Sequence, residues 1–319
     1  MKNVVLGIDV SKKFCDVALC INNKIYTKKF DNNLNGFLEL KSWLKKESAT
    51  TAHICMEATG GYEALLAKFF YDNKFKVSVV NPARIKGFAM SKLSRVKTDK
   101  EDCKLIANFC EAMNPDLWKP TAQHIQNLQQ LVRRLDMLIA NKNQETNRLK
   151  IADKIIIPNI QSHIDFLDQQ IKDIEQLIKN HITSHEDLHQ KEKLLMSIPG
   201  IGNKTTAIIL AFLGETEKFS SAKQIVAFVG LNPKPKQSGS SIYRSSKISK
   251  TGDAYLRQSF YMPILTAIRF NPILKELAQR LADNGKAKMV IVVAAMRKLL
   301  HIIYGVLKTQ TVFNPSIVC

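Results

Sequence analysis

The order of strand and helix signals in the first 110 or so residues limits most strongly what this chain can fold into. Three strand-like runs come first, VVLGIDV, CDVALCI and KIYTKKF, with only turn-forming residues between them, Asn22 and Asn23 included. Runs this close together pair as an antiparallel meander. A helical stretch follows, with Leu38, Leu40, Trp43 and Leu44, then the strand HICME. A second helical stretch (Tyr62, Leu65, Leu66, Phe69, Phe70) leads into the strand KVSVV, which ends at Asn81-Pro82. After the basic segment ARIKGFAMSKLSRVK a helix is expected to open near Thr98, with Thr98 as N-cap and Glu101 three residues on. The order βββαβαβα specifies a mixed sheet with helices on its faces.

Residues 121–190 differ in kind. Leu128, Leu131, Leu135 and Leu138 recur at heptad spacing, and so do Ile160, Ile164, Leu167, Ile171, Ile174 and Ile178. Pro158 separates the two runs, which predicts two long helices forming a coiled-coil arm, paired as a hairpin or across a dimer. An ordinary helical bundle would leave the same seam; the near-neutral surface rich in Gln, Asn and Lys favours the arm. The third region opens with LLMSIPGIGNKTTAIILAFLG. A helical turn, Pro-Gly-Ile-Gly and a second helix from Asn203 make the pattern of a helix-hairpin-helix. Its glycines, Gly200 and Gly202, would let backbone N–H groups approach a phosphate at a helix N-terminus, with Lys204 beside them. The expected organisation is therefore 1–120, a mixed α/β domain; 121–190, a coiled-coil arm; and 191–319, a mainly helical domain.

Charge says which partner the chain meets. It carries 47 Lys and Arg against 28 Asp and Glu, a net +19. The first 120 residues contribute +7, residues 121–190 contribute −1, and residues 191–319 contribute +13. The last third contains an acid-free span between Glu217 and Asp253, and within it lies NPKPKQSGSSIYRSSKISKTG. Such a surface seeks polyanions, so nucleic acid is the default partner. Six cysteines (15, 20, 55, 103, 110 and 319) lack CxxC spacing, which argues against a zinc site or a disulfide framework and for buried thiols in a reducing cytosol. Asp9 interrupts the first apolar run, which excludes a signal peptide. The apolar stretch MVIVVAAM reads as too short to cross a membrane, for which about 20 residues are needed.

The acids are the chemical signal. The βββαβαβα order is also the skeleton of the ribonuclease-H-like, or RuvC-like, fold. Asp9 and Glu57 each end an apolar strand, and Asp99 and Asp102 stand three apart on one helix face. A turn-closing Asp paired with Lys12 or Lys13 is the bland reading of Asp9. Four carboxylates converging at one sheet edge would instead require a divalent cation. Oxygen-only ligands select a hard ion, Mg²⁺ or Mn²⁺, and such ions activate phosphodiester cleavage. GIDVSKKFCDVAL is also similar to the first phosphate loop of actin-like ATPases and sugar kinases, but the later Gly-rich loops those proteins need do not follow a second strand hairpin here.

Read in order, GIDVSKKFCDVAL, MEATGGYE, KTDKEDCKLIA, SIPGIG, KFSSAKQIVAFVGLNPKPKQSG and ISKTGDAYLRQSFY resemble the DEDD transposases of the IS-one-ten insertion-sequence family. The resemblance runs over nearly the whole chain and is weakest in the middle region. It implies a RuvC-like domain whose four metal-binding acids fall on Asp9, Glu57, Asp99 and Asp102, and a C-terminal transposase domain whose nucleophilic serine falls on Ser238. Cys103 departs from the Ala common after the last Asp. The resemblance further implies recombination of donor and target DNA, guided by a structured RNA, in a homo-oligomeric assembly (dimer or tetramer). No membrane partner is expected.

Ser238 would sit among basic residues able to neutralise phosphates: Lys234, Lys236, Arg244, Lys247, Lys250 and, further on, Arg257, with Gly239 permitting close backbone approach. A serine hydroxyl needs activation, and no His lies between His189 and His301 to supply it locally. Composition alone would make this segment a solvated linker. Two alternatives remain: a RuvC-like nuclease or resolvase using water, and a non-enzymatic nucleic-acid-binding scaffold. The long arm between the acids and Ser238 leads to the expectation of a composite site, with the serine of one protomer facing the acids of another.

Overall fold

A computed structural model describes residues 4–22, 24–58, 60–92, 99–238 and 242–316, with the side chains of 99–100 and 235–246 left out of the description. The chain divides into two compact units, Met1–Thr121 and Ala122–Cys319.

The first unit is built on a five-stranded mixed sheet. Its elements are β1 (Val5–Val10), β2 (Phe14–Ile21), β3 (Lys24–Asp31), α1 (Leu34–Lys46), β4 (His53–Glu57), α2 (Ala64–Asp72), β5 (Lys76–Val80), α3 (Pro82–Ser91) and α4 (Asp99–Met113). The strand order is β3-β2-β1-β4-β5. The first three strands pair antiparallel as the short turns dictate, and β1–β4 and β4–β5 pair parallel through helical crossovers. Strand alternation sorts the side chains. Leu6, Ile8, Val17, Leu19, Ile54 and Met56 face α1 and α2, where Phe37, Leu40, Leu44, Leu66 and Phe70 complete one core layer. Val5, Cys20, Cys55 and Val80 face the other way, onto Ile85 of α3 and Ile106, Phe109 and Cys110 of α4. In α1 the buried aromatic is Phe37; Leu38, expected inside, is exposed. Edge strand β3 is exposed except at Phe30 and carries Lys24, Lys28 and Lys29, charges that discourage a further strand from adding there.

The second unit is mainly helical. It comprises α5 (Gln123–Leu149), α6 (Ile157–Thr183), α7 (Glu186–Met196), α8 (Asn203–Leu213), a 3₁₀ turn (Thr216–Lys218), α9 (Ala222–Val229), strands β6 (Pro233–Ser238) and β7 (Ile242–Ile248), then α10 (Ala254–Ser259), α11 (Tyr261–Phe270), α12 (Pro272–Asp283) and α13 (Lys288–Thr309). Helices α5 and α6 form an antiparallel hairpin. Pro158 lies in the first turn of α6, where its missing N–H costs no hydrogen bond. Leu128, Leu135 and Leu138 are buried in α5, and Ile164, Leu167 and Ile178 in α6, while Leu131, Ile171 and Ile174 are only half-buried. At one end His181 Nε2 lies 2.8 Å from the His124 carbonyl, and further out Glu145 faces His163. The hairpin therefore returns the chain to its starting point, so its length does not carry Ser238 away from residue 122. Its near end (Ile125 to Leu135, Ile178, Ile182) shares one core with α7, α8, α9 and α13.

The reading of MVIVVAAM needs correction. That stretch belongs to α13, which at 22 residues and a mean hydropathy of 1.9 is long and apolar enough to cross a bilayer. The sequence reading missed the continuation through KLLHIIYGVL. Leu299, Leu300, Ile303 and Leu307 are buried in the second unit's core, and half of the apolar window is covered there, as in a core helix.

Candidate active site

Four features of the first unit set where its acids stand. Asp9 lies near the end of β1 and Glu57 ends β4, both half-buried. Counting back in twos, Gly7 and Val5 share the face of Asp9, and Cys55 shares that of Glu57; this is the face covered by α4. A methyl group on Gly7 would fall 2.3 Å from both the Ala107 nitrogen and the Cys103 carbonyl oxygen, so α4 rests directly on the β1 backbone. Lower down, Val5 packs with Ile106 and Cys110, and the Cys110 Sγ lies 3.9 Å from the carbonyl of His53 at the start of β4. Residue numbers on α4 thus rise as those on β1 and β4 fall. The first turn of α4, with Asp99 and Asp102, lies over the strand ends that carry Asp9 and Glu57.

Asp102 is half-buried; the side chain of Asp99 lies outside the described residues. Among the described residues no three His, Cys, Asp or Glu side chains stand close enough to hold a metal ion as they lie. The donor chemistry nonetheless suits a hard cation. The neighbouring thiols are held protonated: burial, then Asp16 and Asp9, push Cys103 up to about 11. Burial, then Asp16, Asp9 and Asp31, push Cys15 up to about 12. That leaves carboxylate oxygens as ligands, the set that Mg²⁺ and Mn²⁺ prefer. Asp16 stands opposite Asp9 and two residues from Ala18, which packs with Cys103 and Ala107, so both acids lie on the α4 side of the sheet. Asp16 was missed in sequence; its signal was its place in CDVALCI, in register with Asp9.

In the second unit the serine-rich segment is a β-hairpin and not a linker. Ser238 is the last residue of β6, in register with Ile242 of β7. Gly239 and the side chains of Ser238, Lys236 and Arg244 lie outside the described residues, while Lys234, Lys247 and Lys250 are exposed. The base of the hairpin is clamped. Ser249 N–H donates to Asn232 O, Lys250 N–H to Gly230 O, and Asp253 N–H to Phe228 O, at 2.8, 3.2 and 2.7 Å. Gly252 (φ +151°) approaches Phe228 and Gly230 so closely that a Cβ would meet backbone atoms at 2.5 and 2.6 Å. Arg257, expected to contact nucleic acid, is half-buried and donates one guanidinium N–H to the Val229 carbonyl at 3.1 Å.

Two family models match this chain. The DEDD transposase model of the IS110 type covers residues 6–158, and the model of the transposase IS116/IS110/IS902 family covers residues 192–279. The pilin gene-inverting protein of Moraxella lacunata is 32% identical over 320 residues, 99% of each chain. The transposase for insertion sequence element IS1328 of Yersinia enterocolitica is 24% identical over 356 residues, 98% of this chain and 100% of its own. The transposase for IS1111A of Coxiella burnetii is 22% identical, covering 81% of this chain and 76% of its own. The chain belongs to the IS110 transposase family. As a family member it is a DNA-recombining enzyme, and its first model match spans the strand ends and α4.

The transposase's second match spans the Gly-Ile-Gly turn and the hairpin. The two glycines of that turn differ. Gly200 (φ +94°) lies against Ala267 of α11, 2.4 Å from where its Cβ would be, so it serves packing; nothing lies within 4 Å of a Cβ on Gly202. Gly202 and the exposed start of α8 border a cleft of about 1600 Å³ between α5, α8, α10 and α11. At its mouth Asp136 of α5 accepts a 2.5 Å hydrogen bond from Tyr255 and pairs with Lys204 at 2.6 Å. Burial and the Asp136 hydrogen bond raise the Tyr255 phenol well above its ordinary value, keeping it a donor. Sequence reading found Lys204 but neither partner, since α5 and α10 are over a hundred residues apart.

Proposed function

We propose that this transposase is a metal-dependent recombinase that cuts and rejoins DNA through Ser238. One observation supports it most: β1, β4 and α4 place the elements bearing Asp9, Glu57, Asp99 and Asp102 at one end of the sheet. Those carboxylates would hold Mg²⁺ or Mn²⁺, which when bound polarises phosphate oxygens and stabilises developing charge. The Ser238 Oγ attacks phosphorus as the bond to the departing sugar oxygen breaks, giving a phosphoserine ester; the serine proton passes to solvent and the departing oxygen takes one up. Attack by a hydroxyl of another strand reverses the step and rejoins DNA. Lys234, Lys247 and Lys250 neutralise nearby phosphates.

A structured guide RNA, a dimer or tetramer, a coiled-coil role for α5–α6 and a helix-hairpin-helix role for α7–α8 complete this reading. They rest on family resemblance and on the +13 of residues 191–319. A second reading concerns the substrate: the relative at 32% identity over full length is named for inverting a pilin gene, which makes an invertible DNA segment the alternative substrate. The test of the chemistry is denaturing electrophoresis of protein incubated with labelled substrate and Mg²⁺. A covalent protein–DNA species is expected, lost in Ser238→Ala and in alanine variants of each acid. Cleavage retained by Ser238→Ala would favour water as nucleophile and overturn the serine step.

A further inference from the structure

A row of three charged residues crosses the first unit's sheet beside the acid site. Asp9 of β1 is directly opposite Asp16 of β2, and Asp16 is directly opposite Lys29 of β3. Directly opposed residues point to the same face. That face is the one under α4, because Gly7 takes the α4 backbone and Ala18 packs with Cys103 and Ala107. The Asp16 carboxylate is 16% exposed and lies 3.5 Å from the Lys29 ammonium, which is 51% exposed. The Lys29 ammonium also sits 4.6 Å from the centre of the Phe14 ring.

Two carboxylates opposed on neighbouring strands repel one another. Lys29, on the edge strand, reaches the Asp16 carboxylate. We propose that Asp16 is a positioning residue of the acid site, a fifth carboxylate that strengthens divalent-cation binding from the outer shell, with Lys29 as the resident counter-charge that tempers it. The proposal rests on the acid-site reading above. Asp16 acts through its field and its hydrogen-bonding oxygens on cation held by Asp9, Glu57, Asp99 and Asp102, and it touches no DNA.

The experiment is Mn²⁺ titration of the full-length protein, followed by electron paramagnetic resonance of free Mn²⁺ at low salt. Asp16→Asn should weaken binding roughly tenfold, the usual scale for an outer-shell group. Lys29→Gln should tighten it severalfold. Lys28→Gln makes the same net-charge change from the opposite face of β3, beside Phe30, and should have a much smaller effect. Thermal unfolding without metal checks that each variant is folded. Opposite shifts for Asp16→Asn and Lys29→Gln support the proposal, since loss of a merely structural ion pair would move both the same way. If Asp9→Ala abolishes Mn²⁺ binding while Asp16→Asn stays within twofold of the parent, the Asp16 role is overturned and the acid site stands. Shifts in one direction for both variants, or equal tightening by Lys28→Gln, overturn it too. If the parent binds no Mn²⁺, or Asp9→Ala binds as the parent does, the acid-site reading itself fails and takes the proposal with it.

Discussion

Replacing Gly7 with alanine tests the contact on which the acid site's geometry depends. The added methyl would lie 2.3 Å from the Ala107 nitrogen, 2.3 Å from the Cys103 carbonyl oxygen and 2.8 Å from the Ala107 Cα. All three are helix backbone, so no side chain can rotate aside. Non-bonded heavy atoms rest comfortably about 3.5 Å apart, so α4 must withdraw by about 1 Å. A gap of that size forfeits up to half the dispersion energy of each contact behind it, and Cys103, Ile106, Ala107, Phe109 and Cys110 are all at most 1% exposed on that helix. Overpacking costs about 1–3 kcal/mol, and a rigid backbone neighbour puts Gly7→Ala at about 3 kcal/mol. The same withdrawal lifts Asp99 and Asp102 from Asp9 and Glu57, and a misplacement of about 1 Å can cost on the order of a hundredfold in rate. Urea unfolding and metal-dependent cleavage, measured on one preparation, give both numbers. A stability loss below about 1 kcal/mol with cleavage unchanged would refute the packing of α4 on β1 at this point.

Two shorter predictions concern the second unit. Gly252→Ala, which adds a Cβ against the Phe228 carbonyl and the Gly230 nitrogen at a φ of +151°, should cost about 2 kcal/mol and speed amide exchange across residues 232–250; unchanged exchange would mean the hairpin base is not clamped. His301 has its proton affinity lowered by burial, then by Arg297, Lys298 and Lys223. Below pH 6.5 the unfolded chain therefore takes up a proton that the folded chain resists, and stability falls with pH. His301→Gln should flatten that slope in unfolding curves between about pH 7.5 and 5.

The parts of this fold that were legible in sequence are those with strong local signals. The first three strands alternate apolar residues between turn formers, and their meander follows from spacing alone. The seam of α5 and α6 follows from heptads, although Val132 is buried where Leu131 was expected. The β6–β7 hairpin was hidden because Pro, Lys, Ser and Gly have little strand propensity; its pairing is supported from below by the backbone bonds around Gly230 and Gly252. Asp16 was hidden for another reason. A carboxylate in a strand acquires meaning only from its cross-strand neighbour, and register with Asp9 is a property of the sheet. Arg257 shows what charge alone does not reveal: one N–H of its guanidinium serves a helix-end carbonyl across 28 residues of chain.

The expectation of a composite site needs a different footing from the one the sequence offered. A 27-residue helix spans about 40 Å, but α6 brings the chain back to the base of α5, so arm length separates nothing. What the hairpin does present is an apolar tip, with Ile151 87% and Ile155 91% exposed and Ile156 beside them. Strand exchange requires at least two cleavages, hence two serines and two sets of acids in one assembly. If copies of the chain associate and each Ser238 works with its partner's carboxylates, two defective proteins should rescue one another. Equal amounts of Ser238→Ala and Asp9→Ala, allowed to exchange subunits, give half mixed dimers, and one of the two sites in each mixed dimer is then intact. Cleavage should return to about a quarter of the parental level for a symmetric dimer. Within a single-chain site every mixed dimer keeps one defect per site and activity stays at background. Differently tagged variants recovered together establish that mixing has occurred. Mixed dimers without cleavage would place Ser238 and the acids of one chain in one site.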